Sequence, residues 1–280
     1  MPEANRLGVD LDSRSMTAIN LIDVQIDDPR GGPPLVCGAN LEVAPGEVVL
    51  IVGAAAAGTS RLVAAALGEI AVAEGRFEIL GRDTSKLRRS SLRMMRRRIG
   101  IVPQELCLIE DRSAQLNVML PLEIDGIPRS VSILRAELVL SQLGLASVAS
   151  LPVDCLGAAA RQRVAVARAL VRNPDVVFAD HPTSHQDLVG AELVCAAIAN
   201  AAARGAACVV LGRDPELSAL ADRHSWRRYE LVERSLRSLA LEIEIEIEIA
   251  DEFANSGSNL VPFPRSETHP IARTAAGVIG

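Results

Sequence analysis

The chain has 280 residues, 49% hydrophobic and 23% charged, with a formal net charge of −6, enough apolar content for a core that buries about three quarters of the surface. Wholesale disorder is therefore excluded, and the acidic balance argues against a nucleic-acid partner. No stretch reaches the roughly 18–20 uninterrupted apolar residues of a membrane span, and the first twelve residues lack the apolar region of a secretory signal.

Residues 1–16 are polar and expected to be a flexible N-terminus. Thr17–Ile26 and Leu35–Val43 alternate apolar and polar residues on either side of the turn-rich Asp27-Asp28-Pro29-Arg30-Gly31-Gly32-Pro33-Pro34, and read as paired strands. Glu47–Val52 is a continuous apolar run ending at Gly53, as expected of a buried parallel strand, and Thr59–Leu67 follows with helical composition. Phe77–Leu80 and Ile99–Val102 read as strands, with an arginine-rich stretch between them. Asn117–Leu145 is read as a proline-containing approach to a helix at about 130–143. Arg161–Val171 and Leu188–Ala203 read as helices, Val176–Ala179 and Cys208–Leu211 as strands. Strands alternating with helices predict an α/β fold with a mainly parallel sheet. After Val232 the character changes: Glu242–Ile249 repeats Glu-Ile four times, as a two-faced strand or a low-complexity extension would, and the rest reads as a tail.

Aromatic residues are only 2% of the chain, so the core must be built from Ala, Val, Leu and Ile. The single lysine, Lys86, stands against twenty-eight arginines. Five scattered cysteines (Cys37, Cys107, Cys155, Cys195, Cys208) form no CxxC pair and read as thiols in a reducing compartment.

The residues Gly53-Ala54-Ala55-Ala56-Ala57-Gly58-Thr59-Ser60 join a strand to a helix. Such a loop either packs the two elements tightly or curls its backbone N–H groups around a phosphate at the helix N-terminus. In the phosphate-binding pattern G-x-x-x-x-G-K-[ST], both glycines and the hydroxyl of Ser60 are present and Thr59 stands at the lysine position. Downstream lie Ile99-Gly100-Ile101-Val102-Pro103-Gln104, then Asn117-Val118-Met119-Leu120-Pro121-Leu122. Leu156-Gly157-Ala158-Ala159-Ala160-Arg161-Gln162-Arg163 follows, and then Val176-Val177-Phe178-Ala179-Asp180-His181-Pro182-Thr183-Ser184-His185-Gln186-Asp187.

In order and spacing these motifs resemble the ATP-binding subunit of ABC transporters over residues 17–232, and the Asn117–Leu122 segment resembles the FtsE and LolD branch. The resemblance implies a P-loop NTPase core, an N-terminal antiparallel β-subdomain and an inserted helical subdomain at about 105–160, with 233–280 as repeat and tail. It also implies binding of ATP and Mg²⁺ by Gly53, Ala54, Ala55, Ala56, Ala57, Gly58, Thr59, Ser60, Arg61, Gln104 and Asp180, the metal being held by Ser60, Gln104 and Asp180. Leu156, Gly157, Ala158, Ala159 and Ala160 fall on the signature that closes over a partner subunit's nucleotide, and Asp187 on the D-loop. His181 falls on the catalytic glutamate and Arg213 on the switch histidine. The implied partners are a permease of the FtsX or LolC/E type and a second copy or ABC relative in a head-to-tail dimer. The implied location is cytoplasmic, peripheral to the inner face of the plasma membrane.

The departures carry chemistry. Thr59 brings no cation to the phosphates, and phosphoryl transfer rests on positioning and charge neutralisation. His181 replaces a carboxylate of a kind that contributes typically ~10²–10⁴-fold. Arg213 cannot relay a proton, and alanines replace the signature's serine and glycines. The expectation is a weak or inactive ATPase that retains the fold. The alternatives are an active ATPase with unusual residues, and a nucleotide-free scaffold. A metal site from Asp180, His181, His185 and Asp187 is disfavoured by Pro182, which prevents helical presentation. The arginines at 88, 89, 93, 96, 97 and 98 read either as a solvated helix face or as an anionic-lipid contact, and those of 161–170 as surface residues of an amphipathic core helix.

Overall fold

Strands β1 (Ile19–Ile26) and β2 (Val36–Val43) pair antiparallel, with Ile19 opposite Val43 and Leu21 opposite Leu41. The structure, a computed structural model, describes residues 17–53 and 58–239. In chain order come β3 (Val48–Gly53), helix α1 (Thr59–Ala66), β4 (Glu74–Ile79), the two-residue β5 (Arg82–Asp83), α2 (Arg89–Arg96) and β6 (Ile99–Val102). They are followed by α3 (Ala114–Ile124), α4 (Arg129–Gln142), α5 (Ala158–Leu170), β7 (Val176–Asp180) and α6 (Leu188–Ala203). The described part closes with β8 (Ala207–Gly212), α7 (Pro215–Arg223), β9 (Arg227–Val232) and β10 (Ser235–Ser238). A four-stranded antiparallel sheet has the order β2-β1-β4-β5, and a six-stranded sheet the order β10-β9-β3-β8-β7-β6. In the larger sheet only β10 runs antiparallel.

Burial on both faces explains why the central strands read as continuous apolar runs. Val48 and Leu50 of β3, Val177 and Ala179 of β7, and Cys208 and Val210 of β8 join one core with α3 to α6. Val49, Ile51, Val176, Phe178, Val209 and Leu211 point the other way and join a second core with α1, β1, β2 and β4. Small residues let the layers approach. On α6, Gly190, Ala191, Ala197, Ala201 and Ala202 are buried, so low aromatic content is met by close packing of helix on sheet.

The strands and helices expected around the strand-loop-helix unit and around 99–102, 130–143, 161–171, 176–179, 188–203 and 208–211 are present, with ends shifted by a residue or a few. Three expectations are corrected. The approach expected near 117–122 is itself helix α3, which runs through Pro121. Ser113 caps it by accepting the Leu116 N–H at 3.2 Å, and the side chain of buried Asn117 binds the preceding loop, accepting from Ile109 N and donating to Ile109 O. The strand expected at 77–80 ends at Ile79, because Leu80 and Gly81 turn the chain at positive φ. The sheet also continues past 232 through β10. The Glu242–Ile249 repeat and the tail lie outside the described residues, as does the N-terminal stretch.

The arginines of α5 are not simply a solvated face. Arg161 donates to the carbonyls of Leu156 and Asp154, Arg163 to that of Leu143, and Arg168 to those of Leu106 and Cys107. A planar guanidinium reaches two acceptors at once, which a lysine does not do. Three of the six cluster arginines are tied down as well. Arg96 donates to Leu67 O, Arg98 pairs with Asp175 at 2.8 Å, and Arg97 lies 3.6 Å from Asp125. Arg88, Arg89 and Arg93 remain exposed.

Candidate functional site

Parallel strands end on one edge, so the loops following β3, β6, β7 and β8 emerge together; ligands of open α/β sheets bind at this edge. They enclose a cavity of about 480 Å³ lined by Gly58, Thr59, Ser60, Arg61, Gln104, His181 and Arg213, with Asp28, Pro29, Arg30 and Leu35 from the β1–β2 turn. Residues more than 180 apart in the chain thus share one wall system. Of the predicted nucleotide-contacting residues, Gly53 ends β3 and Ala54 to Ala57 lie outside the described residues.

Gly58 is required where it stands. It is the N-cap of α1 with φ 98°, a left-handed conformation, and a Cβ there would lie 3.1 Å from Leu35 Cβ and 3.3 Å from Val36 Cγ2. Its closeness to Leu35 joins the start of α1 to the β1–β2 turn. In the first turn of α1, Ser60 Oγ donates to Asp180 Oδ2 at 2.5 Å. Asp180, at the end of β7, is almost fully buried, and its Oδ1 lies 2.8 Å from His181 Nδ1. A carboxylate acceptor there places the imidazole proton on Nδ1 and leaves Nε2 without one while the ring is neutral.

His181 adopts φ 50°, a sparsely populated conformation for a residue with a Cβ. Its N–H donates to Leu211 O at 2.8 Å, and its carbonyl accepts from Gln162 Nε2 at 3.2 Å. Strand β8 and helix α5 therefore hold the His181 backbone from two sides. On α5, burial lowers the Arg168 pKa, and its guanidinium holds the loop that follows Gln104 through Leu106 and Cys107. Gln162 and Arg168 support the cavity without lining it, roles that the helical pattern of 161–171 does not disclose.

The predicted residues fall into two groups. Gly58, Thr59, Ser60, Arg61, Gln104, His181 and Arg213 come together at the cavity, with Asp180 behind Ser60 and His181. Leu156 to Ala160 do not line it; they form the approach and first turn of α5. Gly157 is the N-cap, with open space where a Cβ would be, and Ala159 O accepts from Gln186 Nε2 at 2.9 Å. Asp187 caps α6, its Oδ1 accepting the Gly190 N–H at 2.7 Å. Asp28 and Arg30 are cavity residues that motif reading misses; the signal available was the turn chemistry of Asp-Pro-Arg-Gly-Gly.

Serine hydroxyl, aspartate carboxylate and glutamine amide offer oxygen donors, a set that suits a hard divalent cation such as Mg²⁺. Arg30, Arg61 and Arg213 bring positive charge to the same cavity, which suits an anionic ligand. Thr59 adds none. The donor set and charge thus fit a metal–phosphate ligand.

Strand, glycine-bounded loop, helix and a buried acid on the next strand but one, β7, define an α/β domain of the P-loop NTPase class. A family model described as ABC transporter matches residues 36–184, more than half of the 280 residues, and the chain belongs to that family. A methionine import ATP-binding protein MetN of Brucella abortus is 36% identical over 59% of this chain and 45% of its own length. An uncharacterised ABC transporter ATP-binding protein of Mycobacterium bovis is 32% identical over 74% of this chain and 64% of its own. The chain spans about half the length of the curated relatives it matches. The dimeric structure of a bacterial ABC transporter cassette superposes with a TM-score of 0.71 at 27% identity, covering 78% of this chain and 96% of that one. A post-hydrolysis state of such a cassette, bound to ADP and Pi, gives 0.70 at 26% identity, with coverages of 79% and 98%.

Proposed function

We propose that this chain is the nucleotide-binding subunit of an ABC-type transport system, that it holds a nucleoside triphosphate with Mg²⁺ weakly, and that it hydrolyses it slowly or not at all. The Ser60–Asp180 hydrogen bond of 2.5 Å carries the reading. It brings a P-loop hydroxyl and a buried strand-end carboxylate together at the cavity, while Thr59 and His181 stand at the two positions whose usual side chains neutralise phosphate and polarise water. Ser60, Asp180 and Gln104 would hold the Mg²⁺, which neutralises phosphate charge when bound. Backbone N–H groups at the start of α1 would meet the phosphates, with Arg61 and Arg213 as the nearby cations. His181, whose Nδ1 lies 2.8 Å from Asp180 Oδ1, presents an imidazole where a carboxylate would be, so less negative charge is available to orient an attacking water.

The signature residues Leu156 to Ala160 and the D-loop Asp187 would face the nucleotide site of a second copy or of an ABC relative in a head-to-tail dimer. No helix among the described residues is long and apolar enough to cross a membrane; the subunit would sit at the cytoplasmic face, beside a separate permease. The Asn117–Leu122 segment favours a permease of the FtsX or LolC/E type. The MetN relatives favour an import permease, and co-purification with each type separates the two.

Equilibrium titration with MgATP, beside Thr59→Lys and with steady-state turnover, tests the nucleotide reading. A restored charge-assisted contact of about 1.5–3 kcal/mol corresponds to roughly 10–100-fold tighter binding for Thr59→Lys. Wild-type affinity equal to the variant's, or multiple turnover abolished by Asp180→Asn, would overturn weak binding or catalytic silence respectively. No binding to either protein would leave the scaffold reading.

A further inference from the structure

Helix α2 carries charge that the fold does not use. Residues 82–98 hold eight lysines and arginines against one acid, Asp83, in a chain whose net charge is −6. Half of these cations have partners. Lys86 lies 3.0 Å from Asp83, Arg96 donates to Leu67 O at 2.7 Å, Arg97 lies 3.6 Å from Asp125, and Arg98 pairs with Asp175 at 2.8 Å. Arg88, Arg89 and Arg93 are exposed, and among the described residues none of them makes an ion pair or a side-chain hydrogen bond.

The other side of α2 fixes its orientation. Met95 is buried in the second core, Leu92 packs against that core, and the Arg96 guanidinium grips the end of α1 at Leu67 O. The helical repeat then turns Arg89, Ser90, Arg93 and Met94 outward, and Met94 is 60% exposed. Helix stability does not explain these outward charges. The first turn contains no acid, and no side chain caps it. Arg88 and Arg89 at the N-terminus oppose the helix dipole, and Arg89 and Arg93, one turn apart, repel each other. In the isolated subunit these arginines therefore weaken the helix. An anionic surface laid against them reverses the sign of both effects.

We propose that the outward face of α2 docks on an anionic lipid bilayer, with Arg88, Arg89 and Arg93 on lipid phosphates and Met94 in the headgroup layer. A guanidinium pairs with phosphate oxygens two at a time, and the unbranched methionine side chain adapts to an irregular apolar boundary. Charge complementarity selects the partner, and shape narrows it. A single exposed helix face offers no groove to hold a peptide, whereas fluid headgroups rearrange around three fixed cations. The acidic balance of the chain as a whole opposes a long nucleic-acid polyanion. Neither nucleotide nor permease takes part in this contact, so it stands or falls apart from the nucleotide reading.

The experiment is co-sedimentation of the full chain, without nucleotide, with vesicles of phosphatidylcholine alone or mixed with phosphatidylglycerol. The wild type should bind the mixed vesicles, not the neutral ones, and 1 M salt should release it. Neutralising Arg88, Arg89 and Arg93 together to Gln should weaken binding on the order of 100-fold, while the thermal midpoint of the lipid-free protein holds or rises. Replacing the same three by Lys should keep most of the binding, and Met94→Ser should lower it less than the triple neutralisation does. The control neutralises Arg129, Arg135 and Arg204, which are exposed elsewhere, and should bind as the wild type does. Equal binding to both vesicle types overturns the proposal. So does binding that the α2 variant retains, or that the control loses equally, since overall charge would then be the cause. A DNA duplex bound as tightly as the mixed vesicles through the same arginines overturns the bilayer as the partner.

Discussion

At the scale of single residues, side chains among the described residues are spent on main-chain groups more often than on one another. Asp187 is the clearest instance. Its position in the Asp180–Asp187 stretch marks it as a motif residue, and the structure shows it accepting the Gly190 N–H at 2.7 Å as the N-cap of α6. Capping satisfies a helix donor that would otherwise lack a partner. Asp187→Ala should therefore lower stability by about 1 kcal/mol, and Asp187→Ser should recover most of it. Urea denaturation with an unchanged slope checks this; no loss in the alanine variant would mean that water replaces the cap. The same economy explains the arginines of α5, whose helical spacing is legible in the chain while the carbonyls of Asp154, Leu156, Leu143, Leu106 and Cys107 that they reach are not.

At the scale of elements, periodicity located the buried ones well, because a strand covered on both faces must be apolar throughout. It failed where packing outweighed propensity. Pro121 reads as a helix breaker, yet α3 runs through it, anchored by the Ser113 cap and by buried Asn117. Strands β9 and β10 went unread because their charged residues break any continuous apolar run, β10 being the edge strand and β9 the one beside it. Helix α7 had a legible start in Asp214-Pro215, with proline in its first turn. The contact of α5 with β6 depends on one missing side chain: a Cβ on Gly100 would stand 2.4 Å from Ala169 O. Gly100→Ala should push the helix off the strand and cost about 1–3 kcal/mol. A thermal melt checks it, and an unchanged midpoint would show that helix and strand separate without strain.

At the scale of the whole molecule, two cores sandwich one sheet, and two cysteines lie in the interior: Cys195 on α6 and Cys208 on β8 are fully buried. Burial pushes each thiol up from 9.0 to about 12. In the unfolded chain both ionise near pH 9, whereas in the folded chain they keep their protons. Their stabilising effect is therefore complete below pH 9 and lost as pH rises from 9 toward 12, at up to about 1.4 kcal/mol per pH unit for each thiol. Urea midpoints measured between pH 8 and 11 should fall, and Cys195→Ala with Cys208→Ala should flatten that dependence. A double variant as steep as the wild type would assign the fall to other groups. Exposed Cys107 and Cys155 should react with a thiol reagent in the native state, while Cys195 and Cys208 react only after unfolding.

The chain by itself determined its α/β class, its strand-loop-helix unit and most of its buried elements, because hydrophobic period and small-residue loops are local properties written residue by residue. It also carried the order and spacing of motifs that place it among ABC transporter domains. Only the tertiary structure decided which residues share a cavity. Asp28 and Arg213 share a cavity with Ser60 because parallel strands end on one edge and because Gly58 allows α1 to approach Leu35. Only it separated Leu156–Ala160 from that cavity and gave Gln162 and Arg168 their supporting roles. Such juxtapositions depend on strand order and helix packing, long-range properties that no local pattern encodes.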